Sequence, residues 1–196
     1  LENFILNGIE STRYLAPDDS RMLADPSRYY KGGKPDLQLF DSTLADINPD
    51  EKVALAQQAA EGVMGKDERI ISVSTSYSDG ESAAYQLISN GFEGESKRTW
   101  TNISASVSIK GEGEARPSDY WSESSLFYKN LKKTDIGSKA LERVLRKLGQ
   151  KKAKSGKYTM VVDYLNVTQL GNPLLSALLG SALQQKNSFL LDKLGQ

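Results

Sequence analysis

The amino-acid sequence predicts an α+β fold in which helices flank an antiparallel β-meander. Asn48 and Pro49 are typical of a helix start, because Asn can cap a helix and Pro is favoured at the first helical position. Apolar residues alternate with serine over residues 71–77 and 103–109, which is the period of a half-buried strand. An apolar stripe with helical spacing follows over residues 136–148 and completes the order helix, strands, helix.

The elements of this first domain can be predicted in order. The first helix should end near Gly65 and bury one of its sides. Its predicted core-facing residues are Val53, Ala56, Ala60 and Val63. Four strands are predicted, over residues 71–77, 83–89, 100–109 and 120–127, with turns at residues 78–80 and 90–91. Thr134 should cap the last helix, and Gly149 should end it.

A second unit is predicted to open after the first domain. Residues 1–34 are interrupted by Pro and Gly and are predicted to be a connecting segment, and residues 35–156 form the first domain. Residues 157–196 then contain a short buried strand at 158–162 and an apolar helix at 174–183. A strand followed by a helix is how an α/β unit opens, so the chain is predicted to hold only the beginning of that unit.

The composition excludes several kinds of catalytic site. The 196 residues include no His and no Cys. A Ser-His-Asp or Cys-His nucleophile cannot be built within the chain, and neither can a zinc site with nitrogen and sulfur ligands. Carboxylate pairs remain, but the sequence places no such pair in a recognisable pocket. No apolar run approaches the roughly 20 residues that span a membrane, so no membrane partner is expected.

Positive charge is concentrated in residues 129–157, the basic segment. The whole chain carries 25 basic and 25 acidic side chains, whereas this segment carries 11 basic and 2 acidic ones. Such a segment could contact nucleic acid or an acidic protein. It could also be the solvated face of an amphipathic helix, which is favoured because no aromatic residues are interleaved with the charges.

The predicted strands share a face that is rich in serine. Its members in the two clearest strands are Ser72, Ser74, Ser76, Ser104, Ser106 and Ser108. A polar face on an antiparallel sheet is usually exposed to water, and this interpretation is favoured. The alternative is that an exposed strand edge beside the face accepts an extended peptide by adding it to the sheet.

Five stretches of the sequence, in order, carry a family resemblance. Four are Pro-Asp-Leu-Gln-Leu-Phe-Asp at 35–41, Ser-Asn-Gly-Phe-Glu-Gly at 89–94, Asp-Tyr-Trp-Ser at 119–122 and Lys-Tyr-Thr-Met-Val-Val at 157–162. The most specific is Lys-Asn-Ser-Phe-Leu-Leu-Asp-Lys-Leu-Gly at 186–195. Together they resemble the PmbA/TldD family over most of residues 35–196, and the last stretch resembles the PmbA-side version of the segment after that family's metal-site helix.

The resemblance also implies what has happened to the metal site. In the catalytic TldD branch, the helix at the place of residues 174–183 carries His-Glu-x-x-x-His. By resemblance, Ser176 and Ser181 stand where the two zinc-binding His residues would be, and Ala177 stands where the catalytic Glu would be. A neutral hydroxyl is a poor zinc ligand, and Ala has no carboxylate to activate a water molecule. The resemblance therefore implies a degenerate site with no catalytic, cofactor-binding or metal-binding residue.

The resemblance further implies a PmbA-type or TldE-like subunit that is not catalytic by itself. Such a subunit pairs with a TldD-type catalytic subunit, or forms a homodimer, and shapes a cytoplasmic chamber in which extended or unfolded peptides are processed. Zinc is then expected in the partner subunit. The family's older label, modulator of DNA gyrase, leaves the alternative of a binding protein that acts on gyrase or nucleic acid through the basic segment. The zero net charge of the chain disfavours nucleic acid as the partner.

Overall fold

A computed structural model describes residues 1–18, 21–33, 35–193 and 195 of the chain. The chain divides into two units, residues 1–150 and residues 151–196. Asp19, Ser20 and Lys34 of the predicted connecting segment lie outside the described residues, as does Leu194 in the stretch that carries the family resemblance. The domain boundaries predicted at residues 34 and 156 stay predictions.

The sheet of the first unit is an antiparallel meander. Within the described ranges it has three strands, β1 (Ile70–Ile88), β2 (Phe92–Ile109) and β3 (Ser118–Ser125), with β2 in the centre. Helices α1 (Glu2–Thr12), α2 (Pro49–Glu61) and α3 (Ile136–Leu145) belong to the same unit. The α+β prediction is therefore confirmed.

The prediction of a turn at residues 78–80 is wrong, and with it the prediction of four strands. These residues lie in the middle of β1 and pair with residues 100–102 of β2. Glycine at position 80 lets the Trp100 side chain lie close to the backbone of β1, because a Cβ added there would lie 3.0 Å from the Trp100 indole nitrogen. The turn predicted at 90–91 is confirmed, and Gly91 adopts a φ of 100°, which glycine reaches without steric strain.

Helix α2 begins as predicted, but one of its four residues that were predicted to face the core is exposed. The Asn48 side chain accepts a hydrogen bond from the Asp50 N–H at 2.9 Å. Val63, just beyond the helix, is fully buried as predicted, and Ala59 within the helix is buried too, whereas Val53 is 55% exposed. The prediction that Val53 faces the core is wrong, because Val53 lies about 100° around the helix from the buried side.

Helix α3 begins at Ile136, one residue later than a cap at Thr134 predicts. Asp135 occupies the cap position, with a φ of 62° and no capping hydrogen bond from its side chain. The helix ends at Leu145, and the chain then turns through Gly149, which has a φ of 70°. The predicted amphipathic helix is thus present, with its start and end displaced by a few residues.

The core lies between one face of the sheet and the helices α2 and α3. It is built from every second residue of β2 and from the inward sides of the two helices. Its most buried members are Val63, Ile103, Ala105, Val107, Ile109, Ile136, Ala140 and Val144. Because strand side chains alternate, this burial directs the serines of β2 to the opposite face of the sheet.

The second unit contains helices α4 (Val167–Ala177) and α5 (Gly180–Gln184). The prediction of one helix over 174–183 is wrong, because the backbone becomes extended at Leu179. The predicted buried strand at 158–162 is also wrong, since these residues form no regular structure and are largely exposed. A strand needs a neighbour to pair its N–H and C=O groups, and the described residues provide none here.

Across the described ranges, no helix is both long enough and apolar enough to cross a membrane.

Candidate functional site

The residues of the predicted degenerate site lie at the junction between α4 and α5. Ser176 and Ala177 are the last two residues of α4, and Ser181 is the second residue of α5. Leu178 and Leu179 separate the two helices. The two serines therefore belong to different helices and are exposed, whereas Ala177 is buried.

A buried serine that the sequence pattern did not single out supports this junction. The Ser188 hydroxyl donates to the Ala177 carbonyl oxygen at 2.6 Å. The same hydroxyl oxygen accepts a hydrogen bond from the Leu190 N–H at 3.0 Å. Ser188 thus satisfies one of the carbonyl groups left unpaired at the C-terminal end of α4. Its only signal in the sequence is its position within the stretch 186–195.

The donor atoms at the junction do not suit a zinc ion. Ser176 and Ser181 offer neutral hydroxyls, and Ala177 offers no polar side-chain atom. Within the described part of the chain, no three His, Cys, Asp or Glu side chains gather in a way that could hold a metal. These residues do not fit the metal that the family resemblance associates with this helix, and no metal chemistry is assigned to them.

The basic segment is paired in part with acidic residues of the sheet. Arg143 and Lys147 both pair with Asp119 of β3, at 3.4 Å and 3.2 Å. Lys139 pairs with Glu123, also of β3, at 3.4 Å. Lys139 and Arg143 therefore fasten α3 to the sheet, and Lys147 fastens the turn that follows the helix. These pairs support a packing role for this half of the segment. The lysines beyond the helix, Lys151, Lys152, Lys154 and Lys157, are exposed in the second unit.

The ion pairs keep Asp119 in its charged form. Burial by itself would raise the pKa of Asp119. The hydrogen bond from the Tyr120 N–H and the cations of Lys147 and Arg143 outweigh burial, so the pKa lies below its ordinary value of 3.8. A carboxylate held in this way neutralises cations that would otherwise face solvent.

The predicted serine-rich face is formed by all three strands. Ser76, Ser104 and Ser122 lie side by side in one row across the sheet. The Ser76 and Ser104 hydroxyls are 2.8 Å apart and share a hydrogen bond. The serines on this face are Ser72, Ser74, Ser76, Ser78, Ser104, Ser106, Ser108, Ser118, Ser122 and Ser124. Their alternation with core residues follows the period read from the sequence.

A cluster of tyrosines and carboxylates lies where α2 meets β1. Tyr77 donates to Asp79 Oδ2 at 3.1 Å, and Lys52 pairs with the same carboxylate at 2.5 Å. Tyr128 donates to Glu51 Oε1 at 2.5 Å. Burial raises the pKa of both phenols, and the neighbouring carboxylates raise it further. Both tyrosines therefore remain protonated donors, and neither is suited to act as a general base.

The sequence gives no local sign of this cluster. Tyr128 and Glu51 are 77 positions apart in the chain. Only folding brings them together, so a motif search along the sequence cannot find them.

Comparison of the sequence with known families and proteins gives one family match and two curated relatives. Residues 42–148, more than half of the chain, match the family described as the PmbA/TldA metallopeptidase central domain. A protein named "Metalloprotease PmbA homolog" from Haemophilus influenzae is 30% identical, over 100% of this chain and 44% of the relative. "Metalloprotease PmbA" from Escherichia coli O157:H7 is 26% identical, over 96% of this chain and 41% of the relative. The chain therefore spans less than half the length of these relatives.

Solved structures also resemble the fold, including the two that follow. A protein from Bacteroides thetaiotaomicron VPI-5482, described as a proposed modulator of DNA gyrase, is 68% identical with a TM-score of 0.93. The match covers 98% of this chain and 44% of that one. A protein of like description from Thermotoga maritima MSB8 is 23% identical with a TM-score of 0.73, over 84% of this chain and 39% of that one. At this identity the second structure shows the fold alone.

Proposed function

The chain belongs to the PmbA/TldD family, and we propose that it is part of a non-catalytic subunit of a TldD/TldE-type zinc-dependent peptidase complex. One observation carries the proposal. Ser176, Ala177 and Ser181 offer two hydroxyls and a methyl group, at positions that by resemblance correspond to His-Glu-x-x-x-His in the catalytic branch. The sequence has no His or Cys elsewhere that could replace them. Because the chain spans less than half of its relatives, the role belongs to the whole subunit.

The partner in this proposal is a TldD-type catalytic subunit. The partner binds the zinc ion, and the present subunit shapes a cytoplasmic chamber around extended or unfolded peptides. The curated relatives bear the name metalloprotease, which is compatible with membership of such a complex. A homodimer is the alternative assembly, and it would have to bind any metal with residues outside this chain.

Native co-purification tests the partner. The full-length protein that contains this chain is purified from its own cells, and its companions and metal content are measured by mass spectrometry and metal analysis. We expect a stoichiometric paralogue with His-Glu-x-x-x-His that carries zinc, and chelator-sensitive peptide cleavage by the pair. Chelator-sensitive cleavage by the purified protein alone would contradict the proposal.

Substitutions at the degenerate site sharpen the test. Ser176→Ala and Ser181→Ala should leave cleavage by the pair within about twofold, because these exposed hydroxyls activate no water. The matched change in the partner, in which the Glu of its motif is replaced by Gln, should abolish cleavage. A loss of about 100-fold with either serine variant alone would show that the serines take part in the chemistry.

A second candidate is a binding protein that acts on DNA gyrase or on DNA. It is favoured by the 68% identity to the Bacteroides protein described as a proposed gyrase modulator. The exposed lysines at the end of the basic segment would supply the contacts, at Lys151, Lys152, Lys154 and Lys157. Four phosphate contacts predict that log K falls with log salt with a slope of about −3 to −4. DNA binding that is undetectable, or independent of salt, would exclude DNA as the partner.

A further inference from the structure

The outer edge of β1 is open. β1 is an edge strand of 19 residues, Ile70–Ile88, and no strand in the described part of the chain pairs with its outer side. Edge strands are usually short, or are protected by Lys, by Pro or by a bulge. β1 contains no Lys, Arg or Pro, and its one irregularity lies at its start, between Ile70 and Ser72. Its outer N–H and C=O groups are therefore placed to pair with another strand.

Helix α2 runs beside this edge and turns it into a groove. The groove has a volume of about 380 Å³. Its strand wall is formed by Thr75, Ser76 and Tyr77, and its helix wall by Lys52, Val53, Ala56, Gln57 and Ala60. The Thr75 hydroxyl donates to the Ala56 carbonyl oxygen at 2.8 Å, which ties the helix to the strand. An open strand edge with a side-chain pocket beside it is the arrangement that binds peptides by strand addition.

The helix wall of the groove is mostly apolar, and its one charged side chain is paired. Val53 is 55% exposed, and Ala56 and Ala60 are half-buried beside it. The one cation on this wall, Lys52, is neutralised by its pair with Asp79 at 2.5 Å. An uncharged apolar side chain placed here would bury methyl groups of both partners without leaving a charge unpaired.

We propose that the groove between β1 and α2 binds an extended polypeptide segment, which joins the sheet as an additional strand and packs one apolar side chain against Val53. The occupant is an extended chain because only another main chain in the β conformation can satisfy the open edge. An apolar helix could cover Val53 but would leave the N–H and C=O groups of the edge unpaired. This inference deepens the proposed peptide-processing role and depends on it only for the source of the polypeptide.

Binding of a defined peptide tests the strand-addition mode. The probe is a fluorescein-labelled peptide of about ten residues in which Thr and Val alternate, and it is titrated with the full chain by fluorescence anisotropy. The control peptide is N-methylated at every second amide, which removes the donors of one strand edge and keeps the side chains. We expect saturable binding that weakens at least about tenfold on methylation. Equal binding of the two peptides, or no binding, would overturn the proposal.

A pair of lysine substitutions tests the location. Val53→Lys places a charge in the groove, on α2. Leu87→Lys places a charge on β1, near the end of the strand and away from the groove. Both side chains are exposed, by 55% and 71%, so both variants should fold. Val53→Lys should weaken peptide binding about tenfold, and Leu87→Lys should change it by less than about twofold. An equal effect of the two variants would place the peptide elsewhere.

Two further measurements identify the occupant. Hydrogen exchange should show that peptide binding protects amides of residues 72–78 more than those of 82–88. Protection confined to 82–88 would contradict the groove. Sedimentation velocity of the chain without peptide should give the same oligomeric state for the unsubstituted chain and for Val53→Lys. A dimer that this variant dissociates would mean that a second copy, and not a peptide, occupies the groove.

Co-purification separates this proposal from the proposed function. We expect Val53→Lys in the full-length protein to retain the zinc-carrying paralogue while peptide binding is lost. If the unsubstituted protein retains the paralogue but binds no peptide, the groove proposal is contradicted and the proposed function is not. If the protein binds the peptide but has no such partner, the proposed function is contradicted and the groove proposal is not.

Discussion

The two units of the chain differ in how much apolar surface they bury. In the first unit, Ile103, Val107 and Val144 are fully buried between the sheet and the helices. In the described part of the second unit, only Ala177 and Ser188 are buried. Its large side chains that are more than half exposed include Leu170, Leu174, Leu175, Leu178 and Leu179. The described residues of the second unit therefore enclose no hydrophobic core among themselves.

The contrast indicates where stability resides. The first unit gains its free energy from a shared core, so its strands and helices should unfold together. The helices of the second unit depend mostly on local propensity and on a few contacts such as the Ser188 hydroxyl bond, and they should open at low cost. Substitutions placed in each unit test this contrast.

The largest effect is expected from Ile103→Ala in the first unit. This side chain is fully buried, so its truncation should lower the free energy of unfolding by about 2–5 kcal/mol. Urea denaturation followed by tryptophan fluorescence measures it, since Trp100 and Trp121 both lie in the sheet. Ile71→Ala is the matched control, because Ile71 is 48% exposed, and it should cost less than about 1 kcal/mol. Equal costs would mean that the core is not on the face described.

The next effect tests the contact between α2 and α3. A Cβ added at Gly137 would lie 2.2 Å from the Ala59 carbonyl oxygen, so Gly137→Ala forces the helices apart. We expect a loss of about 1–3 kcal/mol in thermal or chemical denaturation. Gly8→Ala, in α1, meets open space and should be neutral or stabilising by up to about 1 kcal/mol. If both variants were neutral, the two helices would not be in contact.

A smaller effect should depend on pH. The pKa of Asp119 is lower in the folded chain than its ordinary value of 3.8, so its ion pairs stabilise the fold above that value. The contribution is lost as the pH falls below 3.8 through the folded pKa. Asp119→Asn should therefore cost about 1 kcal/mol at neutral pH, and the difference should shrink as the pH approaches about 2.5. Urea midpoints at both pH values measure it, and a difference that grows in acid would contradict the ion-pair account.

The smallest effect is expected in the second unit. Leu175 is 61% exposed, so Leu175→Ser should change the free energy of unfolding by less than about 0.5 kcal/mol. It should also reduce the binding of a hydrophobic dye, because it removes part of an exposed apolar surface. The same denaturation experiment and a dye titration measure both. A loss near that of Ile103→Ala would show that the second unit has a core after all.

The sequence predicted the first unit better than the second for a local reason. The helix start at Asn48 rests on a bond between a side chain and a nearby N–H, and the inward face of β2 rests on strict alternation over residues 103–109. In the second unit, apolar runs predicted a buried strand at 158–162, but no neighbouring strand is described there. Hydrophobicity indicates what could be buried, whereas burial requires a partner surface.

At the candidate site, too, some features could be predicted from the sequence and others could not. Sequence and resemblance singled out Ser176, Ala177 and Ser181 and showed that they lack the chemistry of a zinc ligand set. The break between α4 and α5, which separates the two serines, was visible only in the structure. The groove beside β1 was equally hidden, because local turn chemistry at residues 78–80 argued for a turn that the pairing with β2 overrides.

The amino-acid sequence alone was enough to predict the α+β class, the helix start at Asn48, the alternation of β2 and the absence of histidine and cysteine chemistry. These properties depend on residue identity and on spacings of a few positions. The three-dimensional fold was needed to establish that β1 is one long edge strand, that Val53 faces a groove and that Tyr128 contacts Glu51. Those contacts join residues many positions apart, and their free energy arises when the chain folds and excludes water between them.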